Sequence, residues 1–252
     1  MSPGPLCRAL GLATPAVVAV AGSGGKTSLL AALARELAAA GQAVALTTTT
    51  HIFPPPAALA GEPWLWGRAA PGPAEVGRRL APGRVLAVAA GPGPQGKLRG
   101  LSPAQVASLA AAGAWVLVEA DGAAGRPLKA WADYEPVWPG GAAPVVVAGA
   151  GGLGRPLGPA WVHRPEHFAA ACGLAPGQPV TPGALAGVLA GPHGPLRGLE
   201  APAALVVNQA DAAAPEQLAG LRRALAAAEP AGAGFRPLLR ARLRWSPWLE
   251  PL

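Results

Sequence analysis

Val17-Val18-Ala19-Val20-Ala21-Gly22-Ser23-Gly24-Gly25-Lys26-Thr27-Ser28 is the stretch on which the reading of this chain turns. An apolar run, Ala16–Ala21, has the length and composition of a buried strand. It enters a glycine-dense turn, and a helical pattern over Ser28–Ala40 follows. Glycines let a backbone turn so that its N–H groups face an anion. The helix behind the turn adds its positive end to the same place. In this arrangement Lys26 neutralises the β- and γ-phosphates of a nucleotide and Thr27 offers its hydroxyl to Mg²⁺. The expected nucleotide-binding residues are Gly22, Ser23, Gly24, Gly25, Lys26, Thr27 and Ser28. The common pattern GxxxxGK[ST] puts its first glycine where this chain has Val20, and the tighter run Gly22–Thr27 resembles the variant loops of some ligases and accessory NTPases.

Outward from the loop, short apolar runs alternate with helical patterns. Strands are expected at Ala43–Thr47, Val85–Ala89, Trp115–Glu119, Val145–Ala148 and Ala203–Val207. Helices are expected at Pro103–Ala112, Arg164–Cys172, Pro182–Ala190 and Pro215–Ala228, where an early proline suits the first turn. Such alternation predicts an α/β, P-loop NTPase-like fold: a mainly parallel sheet with helices on both faces. Proline and glycine cluster at Pro54–Pro56, Pro71–Pro73, Gly91–Gly96 and Gly149–Gly158, several just past a strand's carboxyl end, where open α/β sheets carry ligands.

With 252 residues, 51% of them hydrophobic, the chain can bury one sizeable core. A single domain over 1–252 is expected, with a weak subdivision after about residue 150, inside Gly140–Gly158. Lys and Arg number 20 against 13 Asp and Glu, a net charge of +7. The cations are scattered apart from Arg236, Arg240, Arg242 and Arg244, which argues against nucleic acid and suits a phosphate-rich small ligand or an acidic protein. Two distant cysteines, Cys7 and Cys172, make neither a disulfide framework nor a metal spacing, which suits a reduced cytoplasmic compartment. The apolar stretch after Arg8 has a faint secretory look, but it runs straight into the glycine loop and is read as strand. No apolar run reaches the ~18 residues of a membrane span, so no membrane association is expected.

Trp115–Glu119 continues into Ala120-Asp121-Gly122, an apolar strand ending in two carboxylates. A phosphate loop needs an acid at a neighbouring strand end for Mg²⁺, commonly through water. Asp121 or Glu119 serves; the other would orient the attacking water. Catalytic candidates are therefore Lys26, Glu119 and Asp121, with Thr27 and Asp121 as the expected Mg²⁺ ligands. The Thr47–Thr50 cluster closes the second strand, and Thr49 there is a candidate for ordering around phosphate or a second ligand. Hydroxyls serving the strand end itself are the plainer alternative.

With these motifs in place, the chain resembles the YqeC family of selenium-dependent hydroxylase accessory proteins. The likeness runs roughly from Val17 to Asp211. It rests on Gly22–Thr27, Thr47–Thr50 with Ile52-Phe53, Gly96–Leu101, Val118–Asp121 with Gly122–Lys129, Asp133–Pro136, His163–Glu166 and Asn208–Asp211. The resemblance implies a nucleotide-dependent accessory factor in the maturation of molybdenum-containing hydroxylases, with Mg²⁺ and GTP or ATP as cofactors and possible contact with the molybdenum cofactor. The partners it implies are the hydroxylase or its cofactor-handling proteins.

Asn208–Asp211 follows an apolar strand, where GTPases carry a base-reading motif. Asn208 and Asp211 are candidates for that task, with Gln209 standing where such motifs have lysine. Lys97, Arg126, Lys129, His163 and Arg164 are second-ligand or partner candidates, since the pterin cofactor of molybdenum enzymes carries a phosphate. Three functions compete on this sequence: a slow NTPase acting on a client, a binding module that nucleotide merely stabilises, and a small-molecule kinase or ligase.

Overall fold

A computed structural model describes residues 4–67, 71, 73–228, 234–243 and 247–252. The chain divides into two compact units. The first comprises Met1–Val20, Thr27–Gly122 and Val137–Pro144, and the second Ala21–Lys26, Ala123–Pro136 and Val145–Leu252.

In chain order, the elements of the first unit are α1 (Pro5–Ala9), β1 (Val17–Gly22), α2 (Lys26–Ala39), β2 (Val44–Thr48), β3 (His51–Ile52), α3 (Ala57–Ala60), β4 (Trp64–Leu65), α4 (Pro73–Arg79), β5 (Val85–Ala89), β6 (Gly91–Pro92), β7 (Leu98–Arg99), α5 (Pro103–Ala111) and β8 (Trp115–Glu119). The last two residues of β1 and the first of α2 belong to the second unit. The main strands run in the order β1-β8-β2-β5-β4, all parallel. Val17 to Ala21 and Trp115 to Val118 are buried along their whole length, as expected of parallel strands covered on both faces. The register Val20↔Glu119 sets the end of β8 level with the last turn of β1 before the glycine loop. A separate antiparallel trio, β3-β7-β6, joins His51–Ile52 to two short strands from the glycine-flanked Gly91–Gly100 region.

Helix ends in this unit follow local chemistry. Ser102 accepts from the amide of Gln105 at 3.3 Å while the Gln105 side chain accepts from the Ser102 amide at 2.8 Å, a reciprocal cap that starts α5 at Pro103. α1 has no cap of its own; Glu36 on α2 accepts from the amides of Leu6 and Cys7, each at 2.9 Å. Burial, reinforced by Glu36, pushes the Cys7 thiol up to about 12, so Cys7 is an inert core residue.

The second unit contains β9 (Leu128–Lys129), β10 (Ala143–Gly149, from Val145 onward), β11 (Val162–His163), α6 (Pro165–Cys172), α7 (Pro182–Ala190), β12 (Ala203–Asn208), α8 (Pro215–Ala227), β13 (Phe235–Arg242) and β14 (Trp248–Pro251). Its strands run β10-β12-β13-β14, parallel except for the final antiparallel pair. β9 and β11 form a small parallel pair of their own. α7 packs between α6 and α8. It starts where the Thr181 hydroxyl accepts from the Ala184 amide at 3.1 Å.

The architecture is α/β with mainly parallel strands, as the alternation of patterns predicts. One difference stands out. The basic stretch at Arg236–Arg242, where no element is expected from the sequence, belongs to strand β13, in which Phe235, Leu239 and Ala241 are buried while Arg236 and Arg240 stay exposed. Arg244 of that stretch lies outside the described residues, as does Gly72 in the Pro71–Pro73 cluster, whose Pro73 opens α4. Among the described residues, no helix is long and apolar enough to cross a membrane.

Candidate phosphate-binding loop

The glycine turn is built from the second unit. The Ser23 amide donates to Val147 O at 2.8 Å and the Gly24 amide to Arg126 O at 3.0 Å. The Ser23 hydroxyl donates to Pro127 O at 2.9 Å, and the Asn208 carboxamide donates to Gly24 O at 2.7 Å. Two amides that the sequence reading turns toward phosphate, those of Ser23 and Gly24, are thus committed to protein carbonyls. An anion at this loop would have to be met at its back, by Gly25 and the start of α2. The glycines here are required. Gly24 has φ +73°, and a Cβ on it would sit 2.7 Å from Pro127 O. Gly22 has φ +102°, and its missing side chain is replaced by the Val147 carbonyl.

Lys26 is 5% exposed, and its ammonium donates to Gly22 O at 2.6 Å, so the side chain arches back over the turn it ends. The boundary between the two units falls at the peptide that joins Lys26 to Thr27.

In the first unit, Thr27 and Ser28 are exposed on the first turn of α2. The Thr27 hydroxyl donates to Glu119 Oε2 at 3.0 Å. The backbone of Glu119 is itself gripped by the threonine cluster: the Thr48 hydroxyl donates to Glu119 O at 2.7 Å and the Thr49 amide to the same oxygen at 3.1 Å. Thr49 adds a long bond from its hydroxyl to Val137 O at 3.3 Å, and Thr47 donates to Val88 O at 2.7 Å. Asp121 is completely buried. Of the two acids, Glu119 is therefore the one brought to Thr27. Two oxygen donors 3.0 Å apart fit a hard divalent cation, which takes oxygen ligands and keeps several waters. Among the described residues, no group of three or more His, Cys, Asp and Glu side chains is arranged around a metal position; Mg²⁺ held by one or two protein ligands and a phosphate needs none.

The remaining candidates fall in several places. In the first unit Lys97 is half-buried, with its ammonium 5.3 Å from the ring centre of the exposed Phe53. In the second unit Arg126 is exposed, whereas Lys129 is buried and pairs with Glu135 Oε2 at 2.9 Å. Arg164 closes on the same oxygen at 2.6 Å and donates to the Tyr134 hydroxyl at 3.0 Å. Burial alone would raise the Glu135 carboxyl, but the hydrogen bonds and charges of Arg164 and Lys129 outweigh it and hold the group below its ordinary 4.5. Arg197 pins the same loop, donating to the carbonyls of Ala132, Asp133 and Glu135 at 3.1, 2.6 and 2.9 Å. Sequence reasoning passed over Glu135, although it lies in the Asp133–Pro136 stretch; its signal is an acid among nearby lysine and arginine candidates.

Asn208 is 6% exposed and carries two duties, since besides gripping Gly24 O it accepts from the Leu243 amide at 3.0 Å. Asp211 is exposed on the turn that follows β12, and Gln209 has left-handed backbone, φ +58°. Base contact would rest on Asp211, not Asn208.

Residues 18–166 match the family model described as YqeC protein. The chain belongs to the YqeC family. A relative, "Uncharacterized protein YqeC" of Escherichia coli (strain K12), is 33% identical over 175 residues; the alignment spans 64% of this chain and 62% of that relative's length. No solved structure matches. The YqeC match covers the glycine loop, Glu119, the Asp133–Pro136 loop and the first residues of α6, and stops before Asn208.

Proposed function

We propose that this YqeC-family chain binds a Mg²⁺-nucleoside triphosphate at Gly22–Thr27 and hydrolyses it as an accessory factor in the maturation of molybdenum-containing, selenium-dependent hydroxylases. The observation that carries the nucleotide reading is the glycine turn between a buried strand and a long helix, ending in a buried lysine whose ammonium arches back to donate to Gly22 O at 2.6 Å, where it lies over the turn's own backbone. The start of α2, a helix of 14 residues, contributes further positive potential at Lys26 and Thr27.

In this reading Lys26 turns from Gly22 O to the β- and γ-phosphates, and the amides at the back of the loop orient them. Thr27 and Glu119 are the residues that would hold Mg²⁺, which when bound neutralises phosphate charge. Catalysis here is mostly positioning and charge neutralisation. Asp211 accepts from the edge of a guanine, which supports a lean toward GTP over ATP. The client role is supported by the family resemblance, and the exposed Arg126 is the residue best exposed to meet a phosphate-bearing partner or cofactor.

A thermal-shift series with Mg²⁺ and ATP, GTP or CTP tests the binding step, since a ligand that prefers the native state raises its melting temperature. Lys26→Ala should abolish the shift and the release of phosphate while leaving the circular dichroism spectrum unchanged. Equal nucleotide-induced shifts in wild type and Lys26→Ala would end this reading.

A further inference from the structure

A short line of backbone bonds leads from the glycine turn to His163. Arg126 O and Pro127 O take the Gly24 amide and the Ser23 hydroxyl. The next two residues are β9, paired in parallel with β11 so that Lys129 stands opposite His163. The Leu128 amide donates to Trp161 O at 3.2 Å and the Ala130 amide to His163 O at 3.1 Å, which fixes the pairing on both sides. Residues opposite one another in such a pair project from the same face. His163 is half-buried and makes no side-chain hydrogen bond among the described residues.

The charges around the imidazole come from several elements. Arg164 is its neighbour in the chain, Lys129 comes from β9, Glu135 from the loop that both cations grip, and Lys26 from the glycine turn. Three cations thus face one carboxylate. Burial first, then Arg164, Lys129 and Lys26, hold His163 below its ordinary 6.5, while Glu135 opposes them. These influences bias the ring toward its neutral form, which keeps a nitrogen lone pair, and the strand pairing sets it opposite Lys129, two residues on from the Pro127 carbonyl that holds the glycine turn.

We propose that His163 is the proton acceptor for a water that attacks the γ-phosphorus of a nucleotide seated at the glycine turn. The water oxygen forms a bond to phosphorus, the bond from phosphorus to the β–γ bridging oxygen breaks, and that oxygen leaves with the diphosphate. The water's proton passes to the imidazole and from there to solvent, so the products are diphosphate, inorganic phosphate and one proton. This rests on the nucleotide reading above and adds to it a proton acceptor for the attacking water.

The test uses the full chain with Mg²⁺-GTP and Mg²⁺-ATP. His163→Gln should bind nucleotide within a few-fold of wild type and lose about 10² or more in kcat, the usual size of a general-base contribution. It should also lose the acid limb of the kcat pH profile, and added imidazole should restore part of the activity of His163→Ala. A second measurement needs no variant: in the wild-type chain, a non-hydrolysable Mg²⁺-triphosphate analogue should raise the pH at which the His163 ring titrates by NMR. Wild-type kcat and pH profile in His163→Gln, or no change in the His163 titration on analogue binding, overturns the proposal while the nucleotide reading stands. Failure of every nucleotide to bind the wild-type chain overturns both.

Discussion

The glycine turn and the Lys129–Glu135–Arg164 cluster are both parts of the second unit, and they are held together by opposite means. The turn is held largely by backbone: four hydrogen bonds at 2.7–3.0 Å to carbonyls of Val147, Arg126, Pro127 and Gly24 itself, with glycines where a side chain has no room. The cluster is made of side-chain charge, two cations on one buried carboxylate at 2.9 and 2.6 Å. A backbone-built site fails when an atom is added; a charge-built site fails when one is removed.

The largest effect should come from the charged side. Glu135→Ala leaves Lys129 buried with its carboxylate gone, a change that typically costs about 3–5 kcal/mol. Urea denaturation measures it, and a loss under about 1 kcal/mol would show that Lys129 finds another acceptor. The turn should break next. Gly24→Ala forces a left-handed backbone and pushes a methyl against Pro127 O, for roughly 2–4 kcal/mol or a rearranged loop; a stable variant that still binds nucleotide would mean the turn is softer than its geometry. The smallest effect sharpens the contrast through pH. Both Glu135 and His163 have folded values below their unfolded ones, so each adds stability that is complete above its unfolded value and is lost as pH falls. Stability should therefore decline first below about 6.5, from His163, and again below about 4.5, from Glu135, as those groups take up protons. Glu135→Gln should erase the second decline and, because Glu135 opposes the cations around His163, deepen the first. Replacement of a turn residue such as Gly24 should leave both in place.

Much of this molecule is legible from its sequence, for reasons that also mark where legibility ends. β5, β8 and α7 lie where the apolar runs and proline starts put them, and β1, β2 and α2 within two residues. Continuous Val, Leu and Ala between glycine and proline leaves a buried strand little freedom. β13 and β14 were hidden because Arg236, Pro237, Arg240 and Arg242 make the segment look like a basic tail. Its strand character appears only once Leu205, Val206 and Val207 of β12 pair with Leu238, Leu239 and Arg240. The two-residue strands of the β3-β7-β6 trio carry no periodicity at all. At the site, the candidate residues were readable and their partnerships were not. That Thr27 meets Glu119 and not Asp121 depends on parallel register, and that Ser23 and Gly24 spend their amides on carbonyls depends on residues more than a hundred positions away.

Asn208 makes a messenger of one side chain. Its amide nitrogen holds the Gly24 carbonyl and its oxygen holds the Leu243 amide just past β13. A displacement of the turn by an occupant would tug on a peptide far along the chain. Deuterium uptake at Leu243 would then tell, without any label on the nucleotide, whether the cradle is empty or full.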